Sequence, residues 1–181
     1  MPNEQNPSSL LVRTASPQDI PAIHAIHAWS VIHDTASWAY EPPAETEMLE
    51  RLKELQDGGY PYLVAEVDGI VAGYAYASAY RPRIGYRFLV ENSVYVAQNF
   101  QRRGIGQRLL TELIRQCEEQ GFRQMIAVIG DSDNLPSIAL HRSLGFEQVG
   151  LLPNIGFKHG RWLDSVLMQR ALGNGANSRP K

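Results

Sequence analysis

Two neighbouring features of this 181-residue chain have the residue types and spacing to do chemistry. One is the run Gln101-Arg102-Arg103-Gly104-Ile105-Gly106; the other is Glu91, on the stretch that leads into it. The run stands where a strand-like alternation, Val90 to Val96, gives way to a helical period from Ile105 to Cys117. Glycines at a helix start let the backbone turn tightly and leave the first N–H groups facing outward without intrahelical partners. With the positive end of the helix dipole and two guanidiniums, they make a receptor for a phosphate or pyrophosphate. The competing reading is a tight turn with solvated arginines. Neither common nucleotide fingerprint fits. No Gly-Lys-Ser/Thr follows, and there is no third glycine with an acidic residue about twenty positions on.

On the strand, Glu91, Ser93 and Tyr95 point one way and Val90, Asn92, Val94 and Val96 the other. A carboxylate partly withdrawn from water at Glu91 can take a proton from an amine, directly or through water. A solvated glutamate, or an ion pair with Arg87, is the alternative. Ser137 and His141 are four apart and share a face of a short helix. Histidine titrates near working pH, which suits an acid or base, although one on an apolar helix is ordinarily a packing residue. Arg81, Arg83 and Arg87 precede Glu91, and a guanidinium fork matches a carboxylate. A carboxylate held there with its amine beside Glu91 describes an α-amino acid; on composition alone, three solvated loop arginines is the simpler reading. His24, His27 and His33 include an i, i+3 pair, but no Cys or carboxylate completes a metal set. They are read as packing or pocket-lining residues, with no metal.

The elements that must position these residues follow from periodicity. A strand is expected over Leu10 to Thr14, then a helix from Pro17 to about Ile32 with Ser16 as its N-cap. The aromatic, aperiodic segment Asp34 to Pro43 reads as a loop over a binding site or a flap on the core. A second helix is expected over Ala44 to Gln56, and a hairpin of Tyr62 to Val67 with Ile70 to Tyr80 turns at Asp68-Gly69. The amphipathic helix ends at Gly121, a candidate left-handed cap. A short apolar strand, Gln124 to Ile129, comes next, then a helix from Pro136 to Gly145 and strands over Glu147 to Leu152 and Trp162 to Arg170. The order gives an α/β fold: one domain over residues 10–172, a mixed sheet and helices on both faces. Residues 1–9 are expected to be a loose lead-in and 173–181 a disordered tail.

Composition narrows the class. Seventeen basic against 19 acidic residues give a net charge of −2, which does not suit a nucleic-acid binder. The single cysteine, Cys117, falls on the apolar stripe and excludes an internal disulfide framework. No apolar run spans a membrane and no signal peptide is evident, so a reducing cytoplasm is expected.

Gln101-x-x-Gly104-x-Gly106 after a Val-Tyr-Val strand, with Asn134 and Leu140-His141-x-x-Leu144-Gly145-Phe146, resembles the GNAT superfamily of acetyl-CoA-dependent N-acetyltransferases. The resemblance runs from Leu10 to Leu172. It implies a GNAT-type, mostly antiparallel sheet and acetyl-CoA as cosubstrate. The amides of Arg102, Arg103, Gly104, Ile105, Gly106 and Gln107 are then expected to hold the coenzyme pyrophosphate. Val94, Tyr95 and Val96 are expected along the pantetheine arm, with a main-chain N–H at or near Val96 facing the carbonyl oxygen, and Asn134 and Ser137 on the coenzyme side. Glu91 becomes the general base. His141 becomes a catalytic candidate, because phosphinothricin acetyltransferases have histidine where many acetyltransferases have tyrosine.

Arg81-Pro82, Arg87 and Val90 to Val96 are similar to acetyltransferases of phosphinothricin, methionine sulfoximine and methionine sulfone. So is Gly156-x-Lys158-x-Gly160-Arg161-Trp162-Leu163-Asp164. Expected substrate contacts are Arg81, Pro82, Arg83, Arg87, Glu91, Asn92 and Ser93. One departure is Leu110, where phosphinothricin enzymes carry tyrosine; this favours the sulfoximine branch. The resemblance further implies a homodimer in which late strands and loops meet the neighbour's site. Two alternatives stay open. One is acetylation of a peptide or protein amine. The other is a non-catalytic acyl-CoA sensor, which would keep the glycine loop without needing Glu91 or His141.

Overall fold

A computed structural model describes residues 9–180; of the expected lead-in, all but Ser9 lies outside the described residues. Seven strands, β1 (Leu10–Thr14), β2 (Tyr62–Val67), β3 (Ile70–Ala79), β4 (Leu89–Val96), β5 (Gln124–Gly130), β6 (Glu147–Lys158) and β7 (Arg161–Ala171), form one open sheet. Their order is β1-β2-β3-β4-β5-β7-β6. Every neighbouring pair is antiparallel except β4 with β5. Helices α1 (Ile20–His33) and α2 (Glu45–Asp57) cover one face, packing Ile23, Ile26, Leu52 and Leu55 around Tyr62, Val64 and Tyr74. Helices α3 (Ile105–Glu119) and α4 (Leu135–Ser143) cover the other.

Local chemistry explains the elements nearest the site. In α3 the whole stripe Ile105, Leu109, Leu110, Leu113, Ile114 and Cys117 is buried, as its spacing requires. Each such leucine contributes about 1.5–3 kcal/mol by burial. Gly121, at φ 88°, ends the helix and lets Phe122 N–H donate to the Cys117 carbonyl at 3.1 Å. Asp68 and Gly69 both have positive φ, so β2 and β3 meet in the tight turn that Asp-Gly favours.

The last two strands run longer than the sequence reading gave them. β6 continues past Leu152 to Lys158, and β7 begins at Arg161. Pro153 signals an end to the strand, but β6 is the sheet edge, where a missing N–H is tolerated. The register slips between Leu152 and Gly156, which accommodates Pro153 to Ile155. His159 and Gly160, both at positive φ, make the turn. At the chain end, where the sequence suggests disorder, Arg123 Nε donates to the Gly175 carbonyl at 2.8 Å.

One irregularity creates the site. The parallel pairing of β4 with β5 covers only Leu89–Gln124, Val90–Met125 and Glu91–Ile126. Beyond Glu91 the strands part, β4 running on to Val96 and β5 to Gly130.

Candidate active site

The gap between the parted strands holds a cavity of about 210 Å³. Glu91, Ser93 and Tyr95 line it from one face of β4, and Asn92 and Val94 from the other. The cavity therefore passes through the sheet, since successive side chains of a strand point to opposite faces. On the α3/α4 side, Asn134, Ser137 and His141 complete it; β5 contributes Ala127 to Gly130. Ala36, Ser37 and Trp38 line the α1/α2 side.

Glu91 sits at the neck, paired with Ser78 on one side and Ile126 on the other. Burial pushes its carboxyl above the ordinary glutamate range, and the charge of Arg51 on α2 opposes this in part. Around it, Tyr62, Tyr74, Tyr76 and Tyr95 stack with centroid separations of 5.0–6.3 Å. His27 Nδ1 lies 2.8 Å from the Tyr74 hydroxyl and so belongs to this aromatic wall.

Asn92 and His141 tie the parting strands to α4. Asn92 Nδ2 donates to the Ile126 carbonyl at 3.1 Å, which leaves Oδ1 to accept from His141 Nε2 at 2.9 Å. His141 Nδ1 lies 2.8 Å from the Ser137 carbonyl. Burial lowers the imidazole pKa below its usual value, and the bond to Ser137 acts the other way. Asn134 caps α4, its Oδ1 accepting from Ser137 N–H at 3.3 Å.

The glycine loop follows β4. Arg102 and Gly104 are left-handed, at φ 59° and 78°. The first helical bond of α3 that draws on the loop is Arg108 N–H to the Gly104 carbonyl. Among the described residues, no main-chain partner is found for the amides of Arg102 to Gln107. A Cβ on Gly106 would stand 3.3 Å from Leu140 and 3.6 Å from Val96, so this glycine brings the loop close against β4 and α4. Arg102 and Arg103 are exposed, and Arg103 lies over the Phe100 ring at 5.2 Å.

The expected residues are only partly gathered in one place. Glu91, Asn92, Ser93, Val94, Tyr95, Asn134, Ser137 and His141 line the cavity, while Val96 and the loop Arg102 to Gln107 continue beyond it. Arg81, Pro82, Arg83 and Arg87 do not line it. They are exposed; Arg81 lies over Tyr80 and Arg87 over Phe88. Sequence reasoning left Arg51, Ser37 and Lys158 without a role. Two glycines were available signals for the last two. Gly130 ends β5 and Gly156 lies within β6, and a missing side chain at such positions marks a close approach. A Cβ on either would overlap the segment carrying Ser37 and Trp38.

Residues 28–146 match the model of the acetyltransferase (GNAT) family. The chain belongs to the GNAT acetyltransferase family. It is 50% identical over 170 residues to the phosphinothricin N-acetyltransferase of Alcaligenes faecalis, covering 94% of this chain and 86% of that protein. It is 39% identical over 163 residues to the L-methionine sulfoximine/L-methionine sulfone acetyltransferase of Salmonella typhimurium, covering 90% and 95%. Among solved structures, a GNAT-superfamily phosphinothricin acetyltransferase from Sinorhizobium meliloti in complex with acetyl-CoA matches with TM-score 0.93 and 49% identity. That match covers 95% of this chain and 93% of the other. The protein is thus an acetyl-CoA-dependent N-acetyltransferase with the seven-stranded GNAT sheet. Its unpartnered loop amides and parted strands fit acetyl-CoA, offering donors for phosphate oxygens and an open strand edge for an extended arm.

Proposed function

We propose that this acetyltransferase acetylates the α-amino group of a small amino-acid-like acceptor of the methionine sulfoximine, methionine sulfone or phosphinothricin type. The observation that carries the reading is Glu91, a half-buried carboxylate at the neck of a passage through the sheet, with its pKa raised by burial. Such a group is a stronger proton acceptor than a solvated glutamate, which suits deprotonation of an ammonium as it attacks.

Acetyl-CoA supplies the thioester whose carbonyl the amine attacks. The amides of Arg102 to Gln107 hold its diphosphate, and Val94 to Val96 present the strand edge to its pantetheine arm. A main-chain N–H of that edge stabilises negative charge on the carbonyl oxygen. Glu91 takes the amine proton. His141, first considered as an acid or base, has its ring nitrogens directed at Asn92 and Ser137, which supports a positioning role instead.

A cavity of about 210 Å³ favours a free amino acid over a peptide, because a chain continuing from the amine needs a longer trough. Arg81, Arg83 and Arg87 follow Ala79, the residue paired with Val90, so their loop starts at the Glu91 end of the strand. They are our candidates for the acceptor carboxylate, together with Arg51. A thiol-release assay with acetyl-CoA across free amino acids, their carboxamides and short peptides tests the reading. Free acids should be turned over and carboxamides should lose most of the rate; turnover of peptides alone would overturn it.

We further propose a homodimer built on β6. Val149, Leu151, Ile155 and Phe157 are exposed along this edge strand, with Trp162 beside Phe157. An apolar edge of this kind is usually covered. Light scattering should give twice the chain mass.

A further inference from the structure

The acceptor-side wall of the cavity is not part of the sheet. It is a strap, residues 34–40 between α1 and α2, held down on the β5 and β6–β7 side. Lys158 at the end of β6 is 2% exposed, and its Nζ donates to the Asp34 carbonyl at 2.9 Å and the Ser37 carbonyl at 2.6 Å. His159 Nε2 lies 3.1 Å from the same Asp34 oxygen. Thr35 Oγ1 donates to the Gly130 carbonyl at 3.1 Å, and the Tyr40 hydroxyl donates to the Phe157 carbonyl. The Trp38 ring lies on Gly156, where a Cβ would overlap it; a Cβ on Gly130 would overlap the Thr35 carbonyl.

A buried ammonium bonded to carbonyls is a costly way to fill space in a core. Here both of its bonds end on the strap, one on either side of the cavity-lining Ala36. A methylene chain of the same length would fill the volume and hold nothing. Trp38, in turn, can lie flat only because position 156 has no side chain.

We propose that Lys158 is a positioning residue for the acceptor: its ammonium fixes the height of the strap, and the acceptor side chain is selected by its fit against Trp38 seated on Gly156. This rests on the small-acceptor reading above, and the test separates the two. Lys158→Met is compared with the unaltered enzyme by calorimetric binding of acetyl-CoA, hydrogen exchange of the strap amides, and kinetics. The kinetics use whichever amine the thiol assay returns as acceptor. Strap exchange should quicken by about tenfold or more. Acceptor KM should rise by about tenfold while kcat and the acetyl-CoA Kd stay within about twofold. Lys158→Gln, which keeps one donor group, should fall between.

Trp38→Ala should widen the range toward bulkier side chains. Gly156→Ala should lower acceptor kcat/KM in the native background and add nothing once Trp38 is alanine. If Lys158→Met fails to fold, the Gly156 and Trp38 pair carries the test. Unchanged strap exchange in Lys158→Met, acceptor and acetyl-CoA constants moving together, or additive effects at Gly156 and Trp38 would each overturn the proposal. Absence of any free-amino-acid turnover would instead sink the small-acceptor reading, leaving the strap measurements legible.

Discussion

His141 Nε2 lies 2.9 Å from Asn92 Oδ1, and through Asn92 Nδ2 this histidine is linked to the Ile126 carbonyl of β5. The link joins Asn92, the first residue of β4 past the pairing, to Ile126, the last paired residue of β5. Both side chains are buried, so neither has water to replace the other. The pair fastens α4, β4 and β5 at the apex of the opening.

Removing the amide should therefore weaken both the fold and the site. Asn92→Ala leaves the Ile126 carbonyl and His141 Nε2 without partners, a loss of about 1–3 kcal/mol. Urea denaturation should read it, together with weaker acetyl-CoA binding. Asn92→Asp puts a carboxylate against the ring, and should raise the His141 pKa from below to above its ordinary value, as followed by NMR titration.

Glu91→Gln removes the proposed proton acceptor while keeping the shape. Turnover should fall by about 10²-fold or more with acetyl-CoA affinity unchanged. In the native enzyme kcat/KM should decline on acidification, since the base must be ionised. Its midpoint should lie above that of an ordinary glutamate because burial raises the group. Turnover by Glu91→Gln equal to native would remove Glu91 from the role.

The same burial makes a stability prediction of opposite sign. A carboxyl whose folded pKa is raised favours the folded state when protonated, and that contribution is lost as pH rises through the folded value. Above the folded value the ionised Glu91 is thus a cost, and Glu91→Gln should raise the Tm there. The gain should vanish when pH falls below the unfolded glutamate pKa. Thermal unfolding at pH 7.5 and at acid pH, two conditions about three units apart, compares the two regimes.

The loop can be tested without chemistry. Gly104 adopts φ 78° with open space around its Cβ position, so Gly104→Ala is strained in backbone only, by about 1 kcal/mol. Combined with Arg103→Ala it should raise the acetyl-CoA Kd by about tenfold or more, and added salt should narrow the difference. An unaltered Kd would place the diphosphate elsewhere.

The features legible in the sequence are those encoded locally. The α3 stripe needs only the spacing of Ile105, Leu109, Leu113 and Cys117, and the β2–β3 turn needs only Asp68-Gly69. The parting of β4 from β5 left no such trace, because side chains alternate along β4 whether or not a neighbour pairs with it. The extension of β6 was hidden by Pro153, which stops a strand in a sheet interior but not at an edge. Lys158 was out of reach for another reason. Its partners Asp34 and Ser37 lie 124 and 121 residues away, and a lysine near a turn reads as a solvated surface residue. The exposed Arg81, Arg83 and Arg87 could be read as carboxylate binders by type, but type does not say which way a loop turns.

A passage that pierces the sheet has two doorways. In the proposed reading the acyl donor enters from the α3 and α4 side and the amine arrives from the other, so neither must depart before its counterpart is seated. Spent coenzyme and acylated product can leave by separate exits. Initial-rate lines for the two reactants should intersect, and free coenzyme A should compete with the donor and not with the amine.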